Sequence, residues 1–253
     1  MIRRLLAIAS IGLTVPFMLA NASNAAEIKV IASNGVKAAL EELAPAFERQ
    51  TGHRITVKWG LAGVLKRDIE SGEAFDLAIL TSAGIDDLAK QGKVDGASRA
   101  SIARSGVGVG IRQGAPRPDI STPDALKKTL LAAKSVAWPK EGQSGIYFAG
   151  LLDRMGIGEP VKAKATLVQI GADVGKALVS GQADLGVVLV NELMAQPGVE
   201  VLGPLPPELQ SYTVFHAGVG ADSKQAEAAK ALIKFLVAPS SAAVFKAKGQ
   251  EPG

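Results

Sequence analysis

The stretch EIKVIASNGVKAALEELAPAFERQTG, from Glu27 to Gly52, decides the fold class. Ile28-Lys29-Val30-Ile31-Ala32 reads as a buried strand, and Ser33-Asn34-Gly35 breaks it with small, turn-forming residues. From there Val36, Ala39, Leu40, Leu43 and Phe47 recur at helical spacing, and Gly52 stands just past the end, where a helix stop is expected. The same unit then repeats. Arg54–Trp59 alternates as a strand and Leu61–Glu70 reads as a helix, followed by a strand over Phe75–Leu80 and a short helix over Ile85–Lys90. An order of β-α-β-α-β-α requires helical crossovers between parallel strands, so the chain is α/β.

Toward the C-terminus the pattern changes near Arg99. Val107-Gly108-Val109-Gly110-Ile111 reads as a strand with glycines along one side, which allows close backbone packing. Thr122 is placed to cap a helix over Pro123–Ala133, with proline at its first position. Strand and helix candidates follow at Ser135–Trp138, Ile146–Met155, Ala165–Gln169, Val174–Ser180 and Leu185–Val190. Pro204, Pro206 and Pro207 mark a loop before an apolar strand over Tyr212–Val219, and helices over Lys224–Val237 and Ser240–Lys248 end the chain. This divides into two lobes: residues 26–104 with 216–253, and residues 105–215. The C-terminal helices return to the first lobe, and the two connections near Arg104 and Phe215 serve as the hinge.

Toward the N-terminus, Met1-Ile2-Arg3-Arg4 is basic, Leu5–Ala20 is mostly apolar, and Asn21 to Ala26 are small or polar. That is the pattern of a secretory signal peptide, here residues 1–25 with cleavage after Ala25; cleavage after Ala22 is the alternative. The apolar run is shorter than the roughly 20 residues a spanning helix needs, and Pro16 interrupts it. The expectation is a soluble, exported protein of the periplasm.

Composition excludes several chemistries. With 47% apolar and 21% charged residues, the 253-residue chain can bury a sizeable core. It has no cysteine and only two histidines, His53 and His216, so disulfides, thiol catalysis and Cys-based metal sites are excluded. The net charge is +4, and the basic residues are scattered, so no nucleic-acid partner is expected. No cofactor and no metal are expected either.

Motifs that resemble catalytic signatures fall short. Gly171-Ala172-Asp173-Val174-Gly175-Lys176-Ala177 has one residue too few between its glycines for a phosphate loop, and Ala177 lacks the metal-binding hydroxyl. Gly106-x-Gly108-x-Gly110 lies inside a strand, not at a strand-to-helix turn. Gln143-Ser144-Gly145 is not a full nucleophile elbow. His53 reads as a surface residue, His216 as a core or hinge residue, and Glu41-Glu42 and Asp86-Asp87 as solvated helix faces. What recurs is a small-residue turn between a strand and a helix: Ser33-Asn34-Gly35, Gly60–Gly63, Thr81–Gly84, Gly142–Gly145 and Gly171–Asp173. In a parallel α/β sheet such turns gather at the carboxyl ends of the strands. Each brings free backbone N–H groups and the positive end of a helix dipole, so their convergence suits a small anion.

Ile31–Val36, Phe75–Thr81, Ala103–Val109, Ser144–Tyr147 and Gly181–Gly186, with Leu232–Phe235 and Lys246–Gly249, together resemble the periplasmic binding proteins of ABC transporters, of the molybdate-binding type. The resemblance covers nearly all of the chain after residue 25. It implies the two-lobed type II periplasmic binding protein fold, with the ligand in a cleft between lobes, an ABC permease as partner, and a monomer. In that family two serine hydroxyls, backbone N–H groups and a tyrosine hydroxyl hold the oxyanion. Ser33 matches the first serine, while the second falls on Ala62 or Gly63. The backbone donors fall near Ser144 and Val174, and the tyrosine falls on Leu189. Asn34, Thr81 and Gly145 join them from the turns, and Arg104 stands where the chain crosses between lobes, suited to a carboxylate ligand or to a salt bridge between the lobes. With two hydroxyls missing, an organic carboxylate is expected over molybdate. The same resemblance admits an enzyme like aconitate isomerase on this scaffold, with Ser33, Arg104 and His216 as catalytic candidates and Lys66, Arg112 and Ser144 in support.

Overall fold

Three strand–helix units open the described chain, a computed structural model covering residues 25–253; the signal peptide expected over residues 1–25 lies, but for Ala25, outside the described residues. The units are β1 (Glu27–Ser33) with α1 (Lys37–Thr51), β2 (Arg54–Gly60) with α2 (Ala62–Glu70), and β3 (Leu77–Thr81) with α3 (Ser82–Lys90). β1 lies between β2 and β3 and runs parallel to both. Ile28, Val30, Ile31 and Ala32 are all buried, as a strand covered on both faces demands. α1 buries Ala39, Leu40, Leu43 and Phe47 and stops at Gly52, whose φ of 76° is the left-handed stop that glycine supplies.

The rest of the chain runs through β4 (Ala100–Arg112), α4 (Pro123–Ala132), β5 (Val136–Pro139), α5 (Gln143–Arg154), α6 (Gly158–Lys162), β6 (Ala165–Val168) and α7 (Gly171–Ser180). It continues with β7 (Leu185–Leu189), α8 (Val190–Met194), β8 (Val199–Pro204), β9 (Tyr212–Val219), α9 (Ala226–Leu236), α10 (Pro239–Ala247) and β10 (Glu251–Pro252). The strands lie in the order β2-β1-β3-β9-β4-β7-β5-β6, with β8 and β10 also on β4. β4 is the spine. Its first half pairs antiparallel with β9 as far as Gly106 opposite Tyr212, and the next residue, Val107, already faces Leu189 of β7. The sheet thus curls into two lobes joined through β4 and the start of β9, with parallel β-α units in each. α9 packs on α1 of the first lobe, where Phe235 meets Phe47 edge to face at 5.5 Å.

Several elements depart from the sequence expectation, β4, α8 and β8 among them. β4 begins seven residues before Val107, because Ala100–Gly106 is mostly small or polar and shows little apolar pattern; pairing with β9 decides its conformation. The segment after Leu189 forms α8 where the sequence suggested only the end of a strand, and Val199–Pro204 forms β8 on the edge of β4.

Candidate functional site

The ends of β1 and β3 present two hydroxyls to one space. Ser33 Oγ accepts the Gly35 N–H at 3.3 Å, and Thr81 Oγ1 accepts the Gly84 N–H at 3.3 Å as the cap of α3. Each hydroxyl is thereby oriented while its own hydrogen stays available to a ligand. α2, α5 and α7 begin without any side-chain cap. Their first N–H groups and positive dipole ends supply the anion-attracting part of the site. These starts and hydroxyls border a cavity of about 480 Å³ between the lobes.

Of the residues expected at the site, Ser33, Asn34, Ala62, Gly63, Thr81, Ser144 and Leu189 line this cavity. Gly145 stands one residue behind it. A Cβ there would run into the Pro139 carbonyl oxygen, so the glycine seats the start of α5 against β5. Val174 of α7 is fully buried, and it is Gly171, at the start of that helix, that reaches the cavity.

The expected cations and the histidine lie elsewhere. Arg104 is ion-paired with Glu251 and stacked on Tyr212 at 4.7 Å, outside the cavity lining. His216 Nδ1 accepts from Arg99 Nε at 2.8 Å, and the same guanidinium meets Asp86 at 2.9 Å. Burial, then Arg99, lowers the pKa of His216 and favours the neutral acceptor form that this bond needs. Lys66 is held by Glu70 at 2.8 Å and Asp87 at 3.6 Å. Arg112 lines a separate groove of the second lobe, beside Lys128 and Asp184.

Arg67 and Glu192, which the sequence reading did not select, line the cavity, and Asn191 stands beside Glu192. Arg67 of α2 lines the cavity, and among the described residues no carboxylate lies within ion-pair distance of it. Glu192 also lines the cavity. The Leu189 N–H, just before α8, lies near its carboxyl and favours the charged form. Both carboxyl oxygens occupy the space that a Cβ on Gly171 would take, directly at the head of α7. Burial pushes this carboxyl up to about 7 from an ordinary 4.5. Asn191, beside it, reaches across to the first lobe and donates from Nδ2 to the Gly35 carbonyl at 2.8 Å, and Gln250 Nε2 donates to the same oxygen at 3.1 Å. The available signal was a glutamate three residues past a strand end. With Leu189 at the cap position instead of Ser or Thr, the pattern went unread.

The family described as bacterial extracellular solute-binding protein matches residues 28–251, and the chain belongs to it. It is 31% identical over 231 residues to a protein named aconitate isomerase from Pseudomonas sp., covering 89% of this chain and 87% of that one. It is 29% identical to the molybdate-binding protein ModA of Azotobacter vinelandii, over 92% of each chain. Among solved structures, the periplasmic molybdate-binding protein of Azotobacter vinelandii superposes with a TM-score of 0.75 at 20% identity, over 89% of this chain and 99% of that one. The chain thus has the periplasmic binding protein fold, and its relatives include both a binding protein and a named enzyme.

Proposed function

We propose that this solute-binding protein captures a small organic carboxylate between its lobes in the periplasm and delivers it to the permease of an ABC importer. The lobes in this reading are residues 26–104 with 216–253, and residues 105–215, in a monomer that closes on its ligand without a cofactor. The observation that carries it is the donor set of the cavity. Ser33 and Thr81 offer hydroxyls, the uncapped starts of α2 and α5 offer N–H groups, and Arg67 offers a planar cation. Ala62, Gly63 and Leu189, which also line it, offer no side-chain donor. A tetrahedral oxyanion needs donors on all sides. An extended acid can place one carboxylate at the hydroxyls and another at Arg67, where the guanidinium binds bidentately. A cavity of about 480 Å³ falls within the usual range for small-molecule sites.

Calorimetry of the mature protein against di- and tricarboxylates, molybdate, tungstate, sulfate and phosphate tests the assignment. Carboxylate binding with weak or absent molybdate binding is expected, and tight molybdate binding with silent carboxylates overturns it.

A second reading, an isomerase acting on cis- and trans-aconitate, is supported by the relative of that name and by Glu192 in the cavity wall. A base would take a proton from the methylene carbon of the acid, the double bond would shift by one position, and the proton would return to the former alkene carbon. Nothing is consumed. Incubating either isomer with the protein and following the alkene resonances by NMR tests it; spectra that match the protein-free control exclude turnover.

A further inference from the structure

We propose that Glu192 makes ligand capture proton-coupled: its carboxyl occupies the head of α7 in the cavity wall, so a carboxylate ligand must accept a hydrogen bond from it in the protonated form. The inference rests on the carboxylate reading above and adds to it which protonation state of the site does the binding.

The geometry sets the constraint. α7 begins at Gly171 with no side-chain cap, and its head is the natural seat for an anion. Both Glu192 oxygens already stand at Gly171. An ionised Glu192 would face an incoming carboxylate across a partly dehydrated cavity, and two like charges at that range cannot both stay ionised cheaply. One proton shared between two carboxyl groups turns the repulsion into a hydrogen bond.

The charged groups on the surrounding elements leave Glu192 to hold that proton. α7 carries Asp173 and Lys176, paired at 2.8 Å. β8 carries Glu200, paired with Arg117, and β4 carries Arg104, paired with Glu251, and Arg112, in the separate groove. β7 has no charged residue. Across the cavity stand Arg67 and Glu141. Burial is the larger influence on the Glu192 proton, and the Leu189 N–H opposes it.

The position also bears on which anions fit. A compact oxyanion that relies on the head of α7 finds it taken, whereas an acid with several carboxylates can meet Glu192 at one end and Ser33 with Arg67 at the other. Glu192 is therefore assigned as a residue that determines ligand class as well as the pH of capture.

Titration calorimetry with trans-aconitate on the native protein and on Glu192→Gln, from pH 5.5 to 8.5, tests the proposal. The comparison between the two proteins removes the ligand's own titration. Native affinity should fall about tenfold per pH unit above 7, the limiting slope for one bound proton. Buffers of different ionisation heat should show about one proton taken up per ligand above that pH. Glu192→Gln, which keeps a donor and cannot ionise, should bind with little pH dependence and at least tenfold more tightly than the native protein at pH 8.5. Equal slopes for the two proteins, or a native affinity that does not change with pH, overturn the proton coupling and leave the carboxylate reading standing. No carboxylate binding by either protein at any pH overturns the carboxylate reading, and this inference with it.

Discussion

Asn191 Nδ2 donates to the Gly35 carbonyl at 2.8 Å, and this bond ties α8 of the second lobe to the turn that carries Ser33 in the first. Both partners are buried. Gln250 makes a second bond to the same oxygen from the last residues of the chain, so three distant segments meet at one carbonyl. The Ser33 turn is therefore braced from the opposite lobe.

Removing that brace should cost both stability and affinity. Asn191→Ala takes away one of the two donors at a buried carbonyl that keeps its bond from Gln250, a loss of about 0.5–1.5 kcal/mol. Chemical denaturation of the ligand-free protein should show it, and the best ligand should bind more weakly because Ser33 is less firmly placed. A variant as stable as the native protein would show that Gln250 alone holds the turn.

The cavity hydroxyls make a separable prediction. Ser33→Ala should weaken the best anion by about 1–3 kcal/mol, the range for a hydrogen bond to a charged group. Its effect on unfolding should be small, since the Gly35 N–H bond it removes is long at 3.3 Å. Calorimetry beside thermal unfolding checks this, and unchanged affinity would exclude Ser33 as a contact.

The first lobe was legible because its apolar residues carry the pattern: Ile28 to Ala32 and the helical face from Ala39 to Phe47 fold as the sequence implies. The cavity residues at strand ends were legible for the same reason, since Ser33, Thr81 and Ser144 sit where period switches from strand to helix. Charge partners were not. Arg104 pairs with Glu251, nearly 150 residues away, across β4 and β10, and no local spacing names that partner. Glu192 was hidden because its role arises from contact with Gly171, and no local spacing encodes that approach.

Packing at the start of α5 allows a blunt test. A Cβ on Gly145 would overlap the Pro139 carbonyl oxygen, which is backbone and cannot rotate away. Gly145→Ala should destabilise the protein by at least the 1–3 kcal/mol typical of overpacking and displace Ser144 from the cavity. A lowered midpoint in thermal unfolding with weakened binding is expected; native behaviour in both would mean that α5 shifts freely.

Stability should depend on pH through two groups of opposite sign. Glu192 holds its proton more tightly folded than unfolded, so its contribution is full below about 4.5 and is lost as pH rises toward about 7. At roughly 1.4 kcal/mol per unit the ceiling is about 3 kcal/mol, reduced because the side chain is partly open to the cavity. His216 has a lowered pKa, so its contribution is full above 6.5 and is lost as pH falls through its folded value. Unfolding of the ligand-free protein should lose stability as pH rises from about 4.5 to about 7, and Glu192→Gln should abolish that loss. A persistent alkaline slope in the variant would assign it to another group.

Closure is the last expectation. Ile146 of α5 and Val64 of α2 belong to opposite lobes, line the cavity, and are 66% and 37% exposed. Large apolar side chains at facing rims have a use if they meet when the lobes approach, since each would then leave water. The start of β9 and the passage of β4 from β9 to β7 are the connections that must absorb the rotation. Ile146→Asp places a charge on that rim without touching Ser33, Thr81 or Arg67. It should weaken the best ligand about tenfold or more while leaving ligand-free stability near native, because the position is solvated in this structure. Small-angle scattering should show the native protein compacting with saturating ligand and the variant compacting less. Equal affinity and no compaction in either protein would mean that the ligand is held by the open cavity alone.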